Sequence, residues 1–183
     1  MQILSLERAA GFFDTPNLAS FFETVNWQYP DPVPSYFLPK DAGAKVGLAR
    51  VIANTFLDRG PALLWITETG IWGSLEHMDL FARYRLSYGE RRTIVEAPVH
   101  FFESIDDRDA FISILCVGLF FGWNLEIMGQ DRALAVTISH DEWIEYRFAP
   151  GQESFVPYFE KWFDQTYSMG RAPRPSAGGH NSE

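Results

Sequence analysis

The sequence predicts an α+β domain: a mixed sheet of about five strands ending in an antiparallel meander, with helices packed around it. Three features carry that expectation. The stretch from Asp106 to Trp123 opens on aspartates, which suit a helix N-terminus, and then runs apolar as far as Phe121. Only Ser113 and Gly118 interrupt it, so it predicts a fully apolar core helix covered on nearly all sides. After it, short apolar segments separated by tight-turn residues predict the meander. Before it, stretches of helical periodicity alternate with extended ones.

In chain order, Thr15-Pro16 predicts the start of a first helix, with Leu18, Phe21, Phe22 and Val25 on one apolar face. Pro30, Pro32 and Pro34 then enforce an extended connector. A second helix is expected from Asp41 to Arg59. Leu48, Ile52 and Phe56 form its stripe, Ala49 and Ala53 lie beside it, and Gly60-Pro61 stops it. Ala62–Thr67, apolar on both faces, reads as a central strand covered twice. A turn at 69–73 leads to Ser74, which caps a third helix running to Tyr88 and ending at Gly89. Thr93–Glu96 and Val99–Phe102 are expected as strands, bent or at an edge because Pro98 separates them. Beyond the core helix, Trp123–Met128, Ala133–Ile138 and Trp143–Phe148 are the meander, and a final helix begins near Ser154. Residues 170–183 have nothing to bury and are expected to be a disordered tail to a single domain spanning 1–169.

With 183 residues, 46% hydrophobic and 16% aromatic, the chain can build a sizeable core. Its net charge of −9 argues against nucleic acid and against anionic membranes, since phosphates call for lysine and arginine. The expected partner is a protein, neutral or basic. A single cysteine excludes an internal disulfide and a thiolate metal cluster. The N-terminus lacks the basic and apolar regions of a secretory signal, and the 110–121 run is too short to span a bilayer. A soluble cytoplasmic protein is the expectation. No feature sets an oligomeric state.

No motif specifies a reaction, so the residues have to be weighed in groups. Ser139-His140-Asp141-Glu142 places three ionisable side chains on a turn. Histidine can act as acid or base, with a carboxylate to orient it. His140, Asp141 and Glu142 are therefore the catalytic candidates, and a metal there would need His77 or His100 as well. Sequence neighbours do not face one another, however, and aspartate is favoured in turns for backbone bonding alone. Glu68-Thr69-Gly70-Ile71-Trp72-Gly73-Ser74 has glycines before a helix, yet matches neither the phosphate-loop nor the dinucleotide pattern.

Arg83, Arg85, Arg91 and Arg92 are the densest basic group. Asp79 and Arg83 are spaced to pair on the solvent face. Arg85 falls by helical angle between Met78 and Phe81, inside the apolar arc. A guanidinium there must find a carboxylate, with Glu68 and Glu96 as candidates, or backbone carbonyls. An ion pair is the plainer reading and anion recognition the sharper one. His77, Phe81, Tyr84 and Tyr88 line one side of the same helix, which suits core packing or a cleft. Cys116, in the apolar helix, is expected to be inert. With no paired catalytic set and no metal-ligand spacing, the expected function is a small acidic protein-binding module without cofactor or metal. Its contact residues would be Asp131, Asp141 and Glu142 on turns, with His77, Tyr84, Tyr88 and Arg85 on the third helix. The alternative is a small hydrolase-type enzyme using His140 with Asp141 or Glu142.

Overall fold

The computed structural model describes residues 1–15, 17–18, 35–69, 76–152 and 157. The described chain runs β1 (Gln2–Leu4), α1 (Leu6–Phe12), β2 (Ser35–Phe37), α2 (Ala42–Leu57), β3 (Ala62–Glu68), α3 (Glu76–Ser87) and β4 (Val99–Phe102). It continues through a 3-10 turn (Ile105–Asp107), α4 (Arg108–Phe121), β5 (Asn124–Gly129), β6 (Leu134–Ile138) and β7 (Trp143–Phe148). The class is α+β, but the sheet corrects the expectation of a mixed, roughly five-stranded one. It has seven strands in the order β1-β4-β3-β5-β6-β7-β2, and every pairing is antiparallel. The two additional strands, β1 and β2, close its opposite edges with three residues each, too few to show a periodicity.

Helix α2 forms where Asp41 accepts from the backbone N–H of Ala44 at 2.9 Å, and its stripe of Leu48, Ile52 and Phe56 is buried. Together with α4 it covers one face of the sheet, over Leu64, Ile66, Leu125, Ile127, Val136 and Tyr146. Ala9 of α1, with Phe13 and Leu18, covers part of the other face over Leu63, Phe101 and Met128. Strand β3 thus has buried side chains on both faces, as its composition predicts.

Helix α4 is not enclosed. Of its 14 residues, Phe111, Ile114, Leu115, Gly118 and Leu119 are buried, one face at helical spacing. Ser113 and Phe120 are exposed, the latter at 44%. The helix lies close on β5, because a Cβ at Gly118 would stand 2.6 Å from Leu125 Cδ1. Its chain then turns through Gly122 at φ 64, a left-handed cap that glycine adopts freely.

Thr93–Glu96 is a turn rather than a strand. Glu96 accepts from the backbone N–H of Thr93 at 2.7 Å and from its hydroxyl at 2.9 Å, and Ala97 N–H reaches back to Thr93 O at 3.1 Å. These local bonds override the extended preference of Thr93, Ile94 and Val95. Most of the helix expected to start at Thr15, the proline connector, the 70–73 turn with its Ser74 cap, the final helix and the tail lie outside the described residues.

Candidate functional site

Helix α3 and the loop that returns from it to β4 hold the densest set of unusual side chains. Among its described side chains, α3 buries only Phe81 and Arg85, at 1% and 3% exposure. Phe81 stands edge-on to Trp123, ring centroids 4.8 Å apart, and tilts over His100 at 5.7 Å. The Arg85 guanidinium lies 5.7 Å from the Phe81 ring centroid. Its Nη2 donates to the carbonyls of Arg92 and Thr93, at 3.2 and 3.3 Å. Its Nη1 is buried and has no hydrogen-bond partner among the described residues. Burial lowers its pKa, an effect that the nearby Glu90 carboxylate opposes.

The helical angle of Arg85 thus correctly implied burial, but neither acidic candidate pairs with it. Glu68 accepts from Asn124 Nδ2 at 2.6 Å, and Glu96 caps the turn at Thr93. Glu90 is also occupied. Its Oε1 accepts from Arg92 N and Nε at 2.8 and 2.9 Å, and its Oε2 from Arg92 Nη2. The hydrogen bonds from Arg92 hold the Glu90 carboxyl down at about 2. Arg92 Nη2 also donates to Ile3 O at 2.9 Å, tying the loop to the edge strand β1.

Between α3 and this loop opens a cleft of about 380 Å³. Met78, Phe81, Ala82, Leu86 and Ile94 make it mostly apolar. Arg83, Arg85, Arg91, Arg92 and Glu90 supply its charge, a local positive excess in an acidic chain. Arg83 and Asp79 form no ion pair, so the spacing that suggested one is not used. Close to Arg85, His100 on β4 is fully buried, and neither ring nitrogen makes a well-formed hydrogen bond among the described residues, although the Pro98 main chain acts on the ring. Burial, reinforced by Arg85, pushes its pKa down to about 3, so the ring is neutral near pH 7.

The opposite side of α3 is aromatic. Tyr84 packs between Phe81 and Tyr88, ring centroids 6.3 and 5.2 Å away, and its hydroxyl donates to Ala110 O at 3.1 Å. Burial raises the pKa of that hydroxyl. Tyr88 and Leu80 are exposed, at 45% and 57%. His77 falls in the first turn of α3, with its side chain outside the described set.

The second candidate, at the far end of β3 and β5, is built around His140. Asn124 Oδ1 accepts from the His140 backbone N–H at 2.7 Å and stands 3.0 Å from ring Nδ1. Ring Nε2 lies 3.4 Å from Asp141 Oδ1, and Nδ1 3.5 Å from Glu68 Oε2, both long for direct hydrogen bonds. Ser139 Oγ accepts from Asp141 N at 3.1 Å, which ties it to the turn backbone. Glu142 is exposed and turns the chain at φ 63, and its carbonyl accepts from Leu38 N at 2.7 Å. The structure does not bring the other described histidine here. His100 sits level with Leu64, whereas His140 belongs to the Glu68 end of β3, across β5. Among the described residues no group of three or more histidine, cysteine, aspartate or glutamate side chains is placed to hold a metal.

Asp131, expected as a free turn charge, is part of the framework. It pairs with Arg59 at 2.7 Å and accepts from Ala133 N at 3.0 Å. A group the sequence reasoning missed lies on the outer face of β5–β7. There Glu126 accepts from Arg147 at 2.9 Å and from Thr137 Oγ1 at 2.8 Å. Burial raises the Glu126 pKa, and Arg147 opposes the rise. The alternation along β5 placed Glu126 on the face opposite Ile127, which was the available signal. Among the described residues no helix is long and apolar enough to cross a membrane.

Compared with protein-family models, with curated proteins and with solved structures, the chain finds no match.

Proposed function

We propose that this chain is a non-catalytic protein-binding module that works in the cytoplasm and recognises a neutral or basic partner. The observation that carries the reading is the outward face of α3. Leu80 and the half-buried Tyr84 are four apart on α3, and Tyr88 follows in the turn after it, so Leu80 and Tyr88 present the two exposed ends of one stripe. Leu80 and Tyr88 give more than two fifths of their surface to solvent. Adjacent large apolar side chains left in water suit a recognition surface, and tyrosine is among the residues that anchor interfaces. The net charge of −9 favours encounter with a basic surface, and the exposed Asp141 and Glu142 add to that field.

The test is a paired capture. The wild-type chain should retain a defined partner that Leu80→Asp with Tyr88→Ser loses, while the melting curve of the variant stays within a few degrees. The on-rate for that partner should fall steeply between about 0.1 and 1 M salt, where the screening length shrinks from about 10 to 3 Å. Equal retention by wild type and variant would refute the assignment of this face.

The second reading is a small hydrolase using His140 with Asp141 or Glu142, and the 3.4 Å approach of His140 Nε2 to Asp141 favours it. Hydrolysis of a model ester by the wild type and not by His140→Ala would promote it over the first.

A further inference from the structure

We propose that the cleft between α3 and the 90–94 loop binds a carboxylate carried on a compact apolar body. The argument begins with Arg85. A guanidinium at 3% exposure keeps its charge only if its donors are answered, and an unanswered buried donor is costly. Two loop carbonyls answer Nη2 and nothing described answers Nη1. Glu90, the acid lining the same cleft, is taken up by Arg92 through both of its oxygens. The Arg85 side chain lines the cleft, so a carboxylate entering it supplies the missing acceptor once the guanidinium turns its covered Nη1 outward, and forms a charge-assisted bond.

The rest of the lining selects what carries that carboxylate. Met78, Ala82, Leu86 and Ile94 offer apolar walls with no use for a strongly hydrated ligand. Four arginines against one glutamate repel a cationic ligand and attract an anion. Among the described residues lining the cleft, one buried donor lacks an acceptor, which matches a single carboxylate better than a dianion such as a phosphate monoester. The volume of about 380 Å³ lies within the roughly 300–1,000 Å³ of small-molecule sites. The same chemistry is offered by a free aliphatic or aryl acid and by a peptide C-terminus beside a leucine. The site does not depend on the partner surface, because Leu80 and Tyr88 do not line it.

The experiment is calorimetric titration of the full chain. The probes are octanoate and phenylacetate, each with its matched alcohol, and a tripeptide ending in leucine, free or amidated. At least one carboxylate should bind one per chain, on the order of tenfold or more tighter than its neutral twin. Arg85→Gln should erase that difference. Ala82→Trp, which fills the exposed mouth and leaves Arg85 in place, should abolish binding, and it serves if the arginine variant fails to fold. The carboxylate that binds identifies free acid or peptide terminus as the source. Equal affinity for acid and neutral twin, binding by Ala82→Trp at wild-type strength, or no binding of any carboxylate overturns the proposal. None of these results touches the paired capture with Leu80 and Tyr88.

Discussion

The body of the molecule and the α3 region are fastened in different ways. Helices α2 and α4 are held to the sheet by apolar area, with residues such as Ile52, Phe56, Phe111 and Leu115 at 2% exposure or less. Among its described side chains, helix α3 fully buries one aromatic ring and one guanidinium, with Met78 and Tyr84 packed partly against the core. Its return loop is tied down by polar bonds: Arg85 to loop carbonyls, Arg92 to Glu90 and Ile3, and Glu96 to Thr93. Apolar contact is non-directional and tolerates few alternatives once packed, whereas each polar tie depends on a particular partner. A region built on the second principle can leave clefts and exposed rings that the first would have closed. That is why the candidate chemistry collects around α3 and not over the larger core.

Substitution can break this contrast. Phe111→Asp or Leu115→Asp should abolish folding, since each puts a carboxylate at a fully buried position at a cost comparable to total stability, roughly 5–15 kcal/mol. Phe120→Asp, on the exposed side of the same helix, should fold and melt normally. Circular dichroism of the three variants checks both halves, and a folded Leu115→Asp would remove the distinction between the faces.

Phe81→Ala probes the other region. It should lower stability by about 3–5 kcal/mol, the usual cost of deleting a buried phenyl ring. Proteolysis should then begin in the 88–96 loop and not in the meander. Uniform protection across both regions would show that α3 does not depend on that one ring.

A graded probe is pH. The folded pKa of His100 is depressed to about 3, below the ordinary 6.5, so the unfolded chain binds more protons between those values. Stability is therefore complete above about pH 6.5 and falls as pH drops towards 3, by up to about 1.4 kcal/mol per unit. Urea titrations at several pH values should show a slope that His100→Leu flattens. An unchanged slope in that variant would assign the acid sensitivity to other groups.

Parts of this were legible in the residues, for reasons that can be named. Helix α2 was legible because Asp41 starts it and Gly60-Pro61 stops it. The meander was legible because β5 and β7 keep strict alternation over most of their length. The one-sidedness of α4 was not, because Ile112, Val117 and Phe120 are apolar although they are not buried, and periodicity vanishes when nearly every position is apolar. The burial of Arg85 followed from helical angle, but its partners did not. They are main-chain carbonyls, which every residue type carries. The contact of His140 with Asn124 joins the β6–β7 turn to β5 and has no local signature.

The two edge strands have a consequence for how the chain is made. Strand β1 pairs Leu4 with Val99, and β2 pairs Tyr36 with Ile144, so both sheet edges come from the first stretch of chain and close on much later strands. During synthesis these segments are made before their partners and must wait until those have been translated. Until then β4 and β7 each lack a neighbour, and the apolar strands between them can be assembled with both borders open. Such unpaired borders are templates for joining another chain. Closing them requires contacts across about a hundred residues, the slow class of pairing. The strands made earlier than their partners thus close the sheet late, and the growing chain depends on them for protection against its own neighbours.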